Sequence, residues 1–329
     1  MNRLPLMAGM ALLCGLELGA VPLTAAAAET AFPTRPITLV IPFPPGGATD
    51  VNGRVIAQRL GKELGQPVVI ENRAGAGTVI GASYVSKAAP DGYTLLVSSG
   101  TTFTVNPAIR PNLPYDPVKG FEPIGIAGRT GLILLANSDV PVKTVQQFVD
   151  YVKASPGKYS YGSFGTGTTA QFAGESVLHA AGLKMTHVPY KGSAPAMTDL
   201  MGGQIPFSID TVSAAIPQLK SGKIKAIALT TAKRSALLPD VPTMAESGYP
   251  GIDMDTWLAL VAPKGLPADV KARLEKALAV TIADPDTRAK LLAQGLEPAY
   301  SNAAATSELI NRELPVMRAV AARANITAD

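Results

Sequence analysis

The feature that most constrains the fold is an apolar run followed by a proline- and glycine-rich loop and a helical segment. Residues 37–41, ITLVI, predict a buried strand that ends at residues 42–45, because three of these are prolines and cannot donate to a sheet. The glycines at 46–47 permit positive φ angles and close approach of a ligand to the backbone. A helix should follow, with Thr49 or Asp50 as its N-cap. A helix N-terminus behind a glycine loop predicts an anion site.

The rest of the chain continues the alternation of short apolar runs and helical segments. Strands are predicted at 67–70, 93–98, 124–127, 132–137, 159–164, 184–189, 204–209, 224–230 and 257–262, and helices at 78–88, 144–154, 170–181, 194–201, 269–282, 285–294 and 303–324. This order indicates βαβ units on a parallel sheet, where ligands bind beyond the carboxyl ends of the strands. The polar loop at 98–102 should then lie beside the loop at 44–50. Residues 107–123, rich in proline, predict an extended connection.

The first 28 residues have the pattern of a secretory signal peptide. Arg3 precedes an apolar stretch at 4–18, and small residues at 25–28 precede the expected cleavage site. The apolar stretch is shorter than the ~20 residues of a membrane-spanning helix. Cleavage would remove Cys14, which is the one cysteine of the sequence, so no thiol would remain for a disulfide, a nucleophile or a metal. We therefore expect a soluble periplasmic or secreted protein.

Composition argues against several classes of function. The formal net charge is only +4, without a run of basic residues, and aromatic residues make up 5%, so nucleic-acid binding is not expected. The sequence contains two histidines, His179 and His187, and no acidic cluster, so no metal site is expected. The glycines at 75–81 resemble a dinucleotide fingerprint, but the acidic residue that would bind the ribose is missing, so we expect no cofactor.

A second glycine loop at 165–169 repeats the plan of the first, between a predicted strand and a predicted helix. If the two loops face each other across a cleft, each can hold one carboxylate through backbone N–H groups, directly or through water. Hydroxyl side chains cluster at the same strand ends: Ser98, Ser99, Thr101, Thr102, Thr166, Thr168 and Thr169. Arg129, within an apolar stretch, is either a carboxylate partner or a solvated loop residue.

Seven segments carry a resemblance to a known family. They are FPTRPI at 32–37, PPGGATD at 44–50, ENRAGA at 71–76, APDGY at 89–93, NP at 106–107, VPYKG at 188–192 and LPDVPT at 238–243. In this combination the chain resembles the substrate-binding proteins of tripartite tricarboxylate transporters, the Bordetella uptake gene (Bug) family. The resemblance extends from residue 32 to about residue 265.

The resemblance implies an α/β chain with the type II periplasmic binding protein fold. Such proteins have two domains, each with a central sheet flanked by helices, and a ligand cleft between them. For this sequence the implied division is a signal peptide at 1–28, the first part of domain 1 at 29–125, domain 2 at 126–247, and a return to domain 1 with the C-terminal helices at 248–329. The family also implies a monomer that closes over its ligand and delivers it to membrane permease subunits.

Site residues follow from the resemblance and from the loops together. In the family the Pro-Gly-Gly loop holds one ligand carboxylate, and an acidic residue that ends a later strand corresponds to Asp210. The predicted ligand-binding set is Pro45, Gly46, Gly47, Asp50, Ser99, Thr101, Thr102, Arg129, Gly165, Thr166, Gly167, Thr168, Thr169, Tyr190 and Asp210. Many relatives carry a histidine after the second loop, where this sequence has Gln171.

We therefore expect a periplasmic binding protein for a mono- or dicarboxylate, with no catalytic residues. Backbone N–H groups and hydroxyls recognise carboxylates generically, so an aliphatic, an aromatic or an amino dicarboxylate remains open. Two other classes of function also remain open. One is a ligand-sensing protein for a membrane sensor kinase. The other is an exported hydrolase, which would need a nucleophile–base pair that the sequence does not show.

Overall fold

The computed structural model describes Met1 and residues 32–327, of which residues 32–327 belong to one compact unit. The strands are β1 (Ile37–Ile41), β2 (Val68–Asn72), β3 (Thr94–Ser99), β4 (Phe121–Asn137), β5 (Ser160–Ser163), β6 (Thr186–Pro189), β7 (Phe207–Thr211), β8 (Ile224–Leu229), β9 (Asp255–Pro263) and β10 (Glu297–Asn302). The helices are α1 (Ala48–Leu64), α2 (Val79–Ser86), α3 (Asn106–Ile109), α4 (Val145–Lys153), α5 (Thr169–Ala181), α6 (Ser193–Met201), α7 (Val212–Leu219), α8 (Ala268–Ala283), α9 (Pro285–Ala293) and α10 (Ala303–Arg323), with a π-helical turn at Thr101–Val105.

Apart from Met1, the predicted signal peptide at 1–28 lies outside the described residues. None of the helices between residues 32 and 327 has the length and the hydropathy that a membrane span requires.

The long strand β4 connects two groups of strands. Its first part pairs with β9, from Phe121 opposite Pro263 to Gly131 opposite Asp255, and also with β10. From Leu132 onward it pairs with β7 and β8. Strands β1, β2 and β3 join the first group through β9, and β5 and β6 join the second through β7. We call the first group with its helices the first lobe, and the second group with its helices the second lobe. The expected domain boundary at 125/126 falls inside β4.

Strand directions differ between the outer and the central parts of the sheets. β1 is parallel to β2 and β3, and β5 is parallel to β6 and β7, as the predicted βαβ units require. β4 and β9 run antiparallel to each other and to their other neighbours. A purely parallel sheet, which the alternation predicted, is therefore wrong for the centre of the molecule, since an apolar run carries no information about strand direction.

Each lobe buries an apolar core of its own. In the first lobe, Leu39 of β1 packs with Ile56 and Leu60 of α1, and all three are fully buried. In the second lobe, the ring of Phe148 on α4 lies 4.9 Å from the ring of Phe207 on β7. Each such side chain contributes roughly 1.5–3 kcal/mol when it leaves water, so these layers hold the loops at the strand ends in place.

The start of α1 differs from the prediction. The N-cap is Gly47, in an extended conformation, and not Thr49 or Asp50. The Asp50 carboxylate lies in the first turn and accepts a hydrogen bond from Gly46 N–H at 2.9 Å. This bond shapes the loop instead of capping the helix. Within the described residues no side chain caps α1.

Other differences arise where tertiary context overrides local pattern. The polar segment predicted as a loop at 98–102 ends β3 and enters the π-helical turn, and the two strands predicted around 128–131 are one continuous β4. α7 was missed because it contains Pro217, and β10 because it has no apolar run and none of its residues is buried. β2 is half-exposed and not buried, because it forms the edge of the sheet.

Candidate functional site

A small cavity lies between the two lobes, at the ends of β1, β3 and β7. Its volume is about 50 Å³, which is several times the space that one ordered water needs. The lining residues are Phe43, Pro44, Pro45, Gly47, Ala48, Thr49, Asn52, Ser99, Thr130, Thr256, Trp257, Leu258 and Leu296 from the first lobe and its connections, and Phe164, Lys191, Gly192, Ser193, Ala194, Pro195, Thr211 and Ser213 from the second. Among these described residues, Lys191 has the one charged side chain.

The N-termini of α1 and α6 meet at this cavity. In the described chain neither helix has a side-chain cap, and their N-cap residues are Gly47 and Gly192. The two turns approach closely. A Cβ atom placed on Gly47 would lie 3.9 Å from Ser193 N, and one on Gly192 would lie 3.1 Å from Pro44 Cδ. The positive ends of two helix dipoles, one from each lobe, therefore border the same space.

Asp50 stabilises the first glycine loop through a hydrogen bond from Gly46 N–H. Its carboxylate accepts hydrogen bonds from Gly46 N–H, from Nε and Nη2 of Arg54 and from Nδ2 of Asn72, each at 2.9 Å. Burial alone would raise the pKa of Asp50, but these donors outweigh it and keep the pKa below the usual value. Asp50 does not line the cavity, so the structure gives it a positioning contact with Gly46, which has a φ of 80°.

Asp210 stabilises the N-terminus of α6 through a hydrogen bond from Ser193. Its Oδ1 accepts a hydrogen bond from Ser193 Oγ at 2.8 Å and one from Thr211 N–H at 2.7 Å. Its Oδ2 has no partner among the described residues. The side chain is fully buried, and this burial raises the pKa of Asp210 to about 7. The structure thus places a carboxyl group with a raised pKa directly beneath the N-terminus of α6.

The second glycine loop, at 165–169, lies outside the cavity. Its residues Gly165 and Thr166 line an adjoining side groove of about 430 Å³, together with Pro42, Phe43, Pro44, Ala74, Gly75, Ala76, Gly77, Thr78, Arg110, Phe164, Pro189, Tyr190, Lys191 and Gly192. The rings of Phe43 and Phe164 border both spaces, with their centroids 6.1 Å apart. Gly167, Thr168 and Thr169 line neither space.

Only some of the remaining predicted residues line the cavity. Pro45, Gly47 and Ser99 line it, whereas Gly46 borders a separate surface depression beside α6 and α7. Thr101 and Thr102 are fully buried, and the Thr102 hydroxyl donates to Thr78 Oγ1 at 2.7 Å.

Two further predicted residues are occupied by partners of their own. Arg129 forms a two-bond ion pair with Asp255, at 2.6 and 2.8 Å, and Tyr190 donates to Asp199 at 2.7 Å. Neither Arg129 nor Tyr190 lines the cavity.

The sequence pattern did not reveal several polar residues of the cavity wall, in either lobe. Thr49, Asn52, Thr130, Lys191, Ser193, Thr211, Ser213 and Thr256 were not in the predicted set. A signal for the α6 N-terminus was present, because Gly192 is followed by Ser193 and by Pro195 in the first turn, a pattern that favours helix starts. The polar residues from other elements had no such signal, since tertiary packing alone brings them together.

A serine–histidine pair exists outside the cavity. Ser163 Oγ lies 2.7 Å from His187 Nε2, although the sequence pattern had shown no nucleophile–base pair. Ser163 is fully buried and lines neither the cavity nor the side groove. It also accepts a hydrogen bond from Gly165 N–H at 3.1 Å. A substrate could not reach this hydroxyl without a large rearrangement, so the pair is structural.

Comparison with families and with curated proteins gives one consistent result. The model of the tripartite tricarboxylate transporter family receptor matches residues 53–326. BugT of Bordetella pertussis is 35% identical over 301 residues, covering 91% of this chain and 92% of BugT. A UPF0065 protein from the tcbD–tcbE intergenic region of a Pseudomonas species is 37% identical over 284 residues, covering 86% of this chain and 84% of that protein.

Solved structures resemble this chain over nearly its full length. A structure described as a periplasmic transporter has a TM-score of 0.88 and 41% identity, covering 91% of this chain and all of the other. A Rhodopseudomonas palustris protein solved with adipate has a TM-score of 0.87 and 35% identity, covering 90% and 99%. MatC from the same organism, with bound malate, has a TM-score of 0.83 and 33% identity, covering 88% and 99%.

Proposed function

Because this chain belongs to the tripartite tricarboxylate transporter receptor family, a family of periplasmic solute-binding proteins, we propose that it captures a small carboxylate in the cavity between its lobes. It then delivers this ligand, as a monomer, to the membrane permease of such a transporter. The ligand is a mono- or dicarboxylate, and no chemical step takes place. Related proteins solved with adipate and with malate support this class of ligand.

The meeting of two uncapped helix N-termini carries the proposal. A carboxylate placed between Gly47 and Ser193 can accept hydrogen bonds from the first turn of α1 and from the first turn of α6. Such charge-assisted bonds contribute about 1.5–3 kcal/mol each. The small volume of the cavity and the close approach of the two turns favour one carboxylate shared by both lobes over one carboxylate for each loop.

Shared binding provides a reason for domain closure. We propose that the two lobes correspond to the domains expected at 29–125 with 248–329 and at 126–247, and that they move about β4, whose first part up to Gly131 stays paired with β9. Without an anion, the positive ends of α1 and α6 repel each other, and a bound carboxylate replaces this repulsion by attraction. Closure therefore stabilises the complex through the same contacts that recognise the ligand.

Isothermal titration calorimetry with a set of acids tests the proposal. The set should contain mono- and dicarboxylates of increasing length, and each acid should be paired with its neutral amide as a control for shape. We expect at least one acid to bind and its amide to bind far more weakly, because the amide carries no negative charge. If no carboxylate binds at millimolar concentration, or if amides bind as well as acids, the proposed function is wrong.

Delivery to a permease needs a separate assay. Uptake of the labelled acid should be measured in cells that contain the cognate permease, with and without this protein. We expect uptake to depend on the protein. Binding without any dependence of uptake would instead favour the role in sensing.

A further inference from the structure

We infer that Asn52 and Thr256 select carboxylates that carry a hydroxyl or amino group close to the bound carboxylate. This inference rests on the proposed function, since it concerns the body of the ligand in the same cavity. Both residues line the cavity, and both are more than nine-tenths buried, with exposures of 2% and 6%. Asn52 Oδ1 and Thr256 Oγ1 have no hydrogen-bond partner among the described residues.

The orientation of the Asn52 amide follows from its neighbours. Its Nδ2 donates to Ala48 O at 2.8 Å and to Ser213 Oγ at 2.7 Å. The Ser213 hydroxyl gives its single proton to Gln294 O, so it can only accept from Asn52. Turning the amide over would bring its oxygen against the Ala48 carbonyl. Asn52 Oδ1 is therefore fixed as a free acceptor, and it can be satisfied only by a donor.

Thr256 provides the second free group on the same side of the cavity. It pairs with Thr130 across β4 and β9, and the Thr130 hydroxyl is already in use: it donates to Gly295 O at 3.0 Å and accepts from Ser213 N–H at 3.2 Å. Ser213 thus links the Asn52 amide to the Thr130–Thr256 pair. Thr256 Oγ1 can donate or accept, so it can bind the same ligand group as Asn52 or its neighbour.

The position of Asn52 sets the part of the ligand that it reads. Asn52 lies one helical turn beyond Ala48, which is a rise of about 5–6 Å. A carboxylate held at the N-terminus of α1 therefore places its first few carbon atoms beside the Asn52 amide. An alkyl group there leaves the buried carbonyl oxygen unpaired, whereas a hydroxyl or amino group satisfies it. Sites that are built to bind a hydroxyl discriminate strongly against analogues that lack it, because their polar groups then stay unpaired.

Thr281 supplies a matched control for Thr256, because it also carries a buried hydroxyl without a partner among the described residues but lies away from the cavity. Its Oγ1 also has no partner in the described chain, and its side chain is fully buried. It lies in α8 and lines neither the cavity nor the side groove. Replacing Thr256 or Thr281 by valine removes a buried hydroxyl without a partner within residues 32–327 in each case, but only Thr256 borders the cavity.

The experiment compares acids that differ by a single hydroxyl group. Lactate and propionate, malate and succinate, and 2-hydroxyadipate and adipate should be titrated by calorimetry into the wild type and into the Asn52→Leu, Thr256→Val and Thr281→Val variants. For whichever length binds, we expect the wild type to prefer the hydroxy acid by about tenfold or more. Thr256→Val, which conserves shape, and Asn52→Leu should lower this preference several-fold, and Thr281→Val should leave it unchanged.

The outcomes separate this inference from the proposed function. If plain acids bind the wild type as tightly as hydroxy acids, or if Thr256→Val and Thr281→Val keep the same preference, the inference is overturned while carboxylate binding stands. If none of the six acids binds and the wider set of carboxylates also fails, the proposed function is overturned with it.

Discussion

The two glycine loops of this chain share a sequence plan but differ in their hydrogen bonding. In the loop at 44–47, Gly46 N–H is bound to Asp50, and the helix that follows has no side-chain cap among the described residues. In the loop at 165–168 two backbone donors are already occupied by side chains. Gly165 N–H donates to Ser163 Oγ at 3.1 Å, and Gly167 N–H donates to Gln171 Oε1 at 2.7 Å.

The helix behind the second loop also lacks a side-chain cap among the described residues, but one N–H group of its first turn is occupied. Thr169 N–H, in the first turn of α5, donates to Thr101 Oγ1 at 3.2 Å. An anion site needs N–H groups without internal partners. Side chains occupy three N–H groups at the second loop and the start of α5, but only Gly46 N–H at the first loop, so the first loop is the better anion site. We propose that the partner facing the first loop is the first turn of α6, which follows Gly192. Glycine content predicts where a backbone can turn, and the side chains nearby decide whether its donors remain free for a ligand.

The largest expected effect concerns Asp210, beneath the N-terminus of α6. Burial raises its pKa from 3.8 to about 7, so the folded protein binds more protons than the unfolded chain between about pH 4 and pH 7. Stability therefore falls as pH rises through this window, by on the order of 4 kcal/mol. Asp210→Asn should remove this dependence, and it should be more stable than the wild type at about pH 8 and similar at about pH 4.

Urea unfolding of both proteins across this pH range measures the effect. The Ser193 hydroxyl should keep its acceptor in the variant, because the amide oxygen of asparagine can replace Oδ1. Parallel pH profiles for the wild type and the variant would contradict the raised pKa of Asp210.

The second variant, Ala48→Pro, tests whether the free N–H groups at the start of α1 bind the ligand. Ala48→Pro removes the first N–H group of α1. Proline is well tolerated at this helix position, and Gly47 already has the extended conformation that a following proline requires. We expect unchanged stability and a loss of about tenfold to hundredfold in carboxylate affinity, as for one charge-assisted hydrogen bond.

Ala303→Pro is the matched control for this variant. It changes the same residue type at the same position of α10, after an extended Asn302, and it does not line the cavity. Calorimetry should show wild-type affinity for this control. Equal affinities for the two proline variants would mean that the first N–H group of α1 does not bind the ligand.

The smallest effect is expected for Thr169→Pro, at the start of α5. Thr169→Pro removes the N–H group that Thr101 Oγ1 accepts in the second loop, so a buried acceptor loses its donor. We expect a loss of about 1–2 kcal/mol in the free energy of unfolding and an affinity close to that of the wild type. Thr169→Val keeps the N–H group and should lose less stability. A large drop in affinity for Thr169→Pro alone would show that the second loop takes part in binding.

Much of the architecture could be predicted from the sequence because it depends on local pattern. β1 has the predicted bounds, and α4 begins after Thr144, whose hydroxyl accepts from Gln147 N–H as an N-cap should. The family resemblance supplied the fold class. The antiparallel crossing at β4 and β9 could not be read from apolar runs, which are the same for either direction.

The candidate site was predictable only where the backbone itself forms it. The first glycine loop was found because proline and glycine mark the turn. Asn52 and Thr256 were missed because an amide inside a helix and a threonine in a strand look ordinary until neighbours such as Ser213 and Thr130 are placed beside them. The sequence offered Arg129 as a partner for a ligand carboxylate, but in the structure its guanidinium forms an ion pair with Asp255.

The most direct test of carboxylate binding between the N-termini of α1 and α6 is an NMR titration with the tightest-binding acid. The measured quantity is the chemical shift of each backbone amide proton. We predict that the amides of Ala48, Thr49 and Ser193 move downfield on binding, because they gain a charged acceptor. The amides of Gly167 and Thr169 should stay in place, because side chains already accept their hydrogen bonds. Downfield shifts confined to the second loop, with α1 and α6 unaffected, would contradict this account.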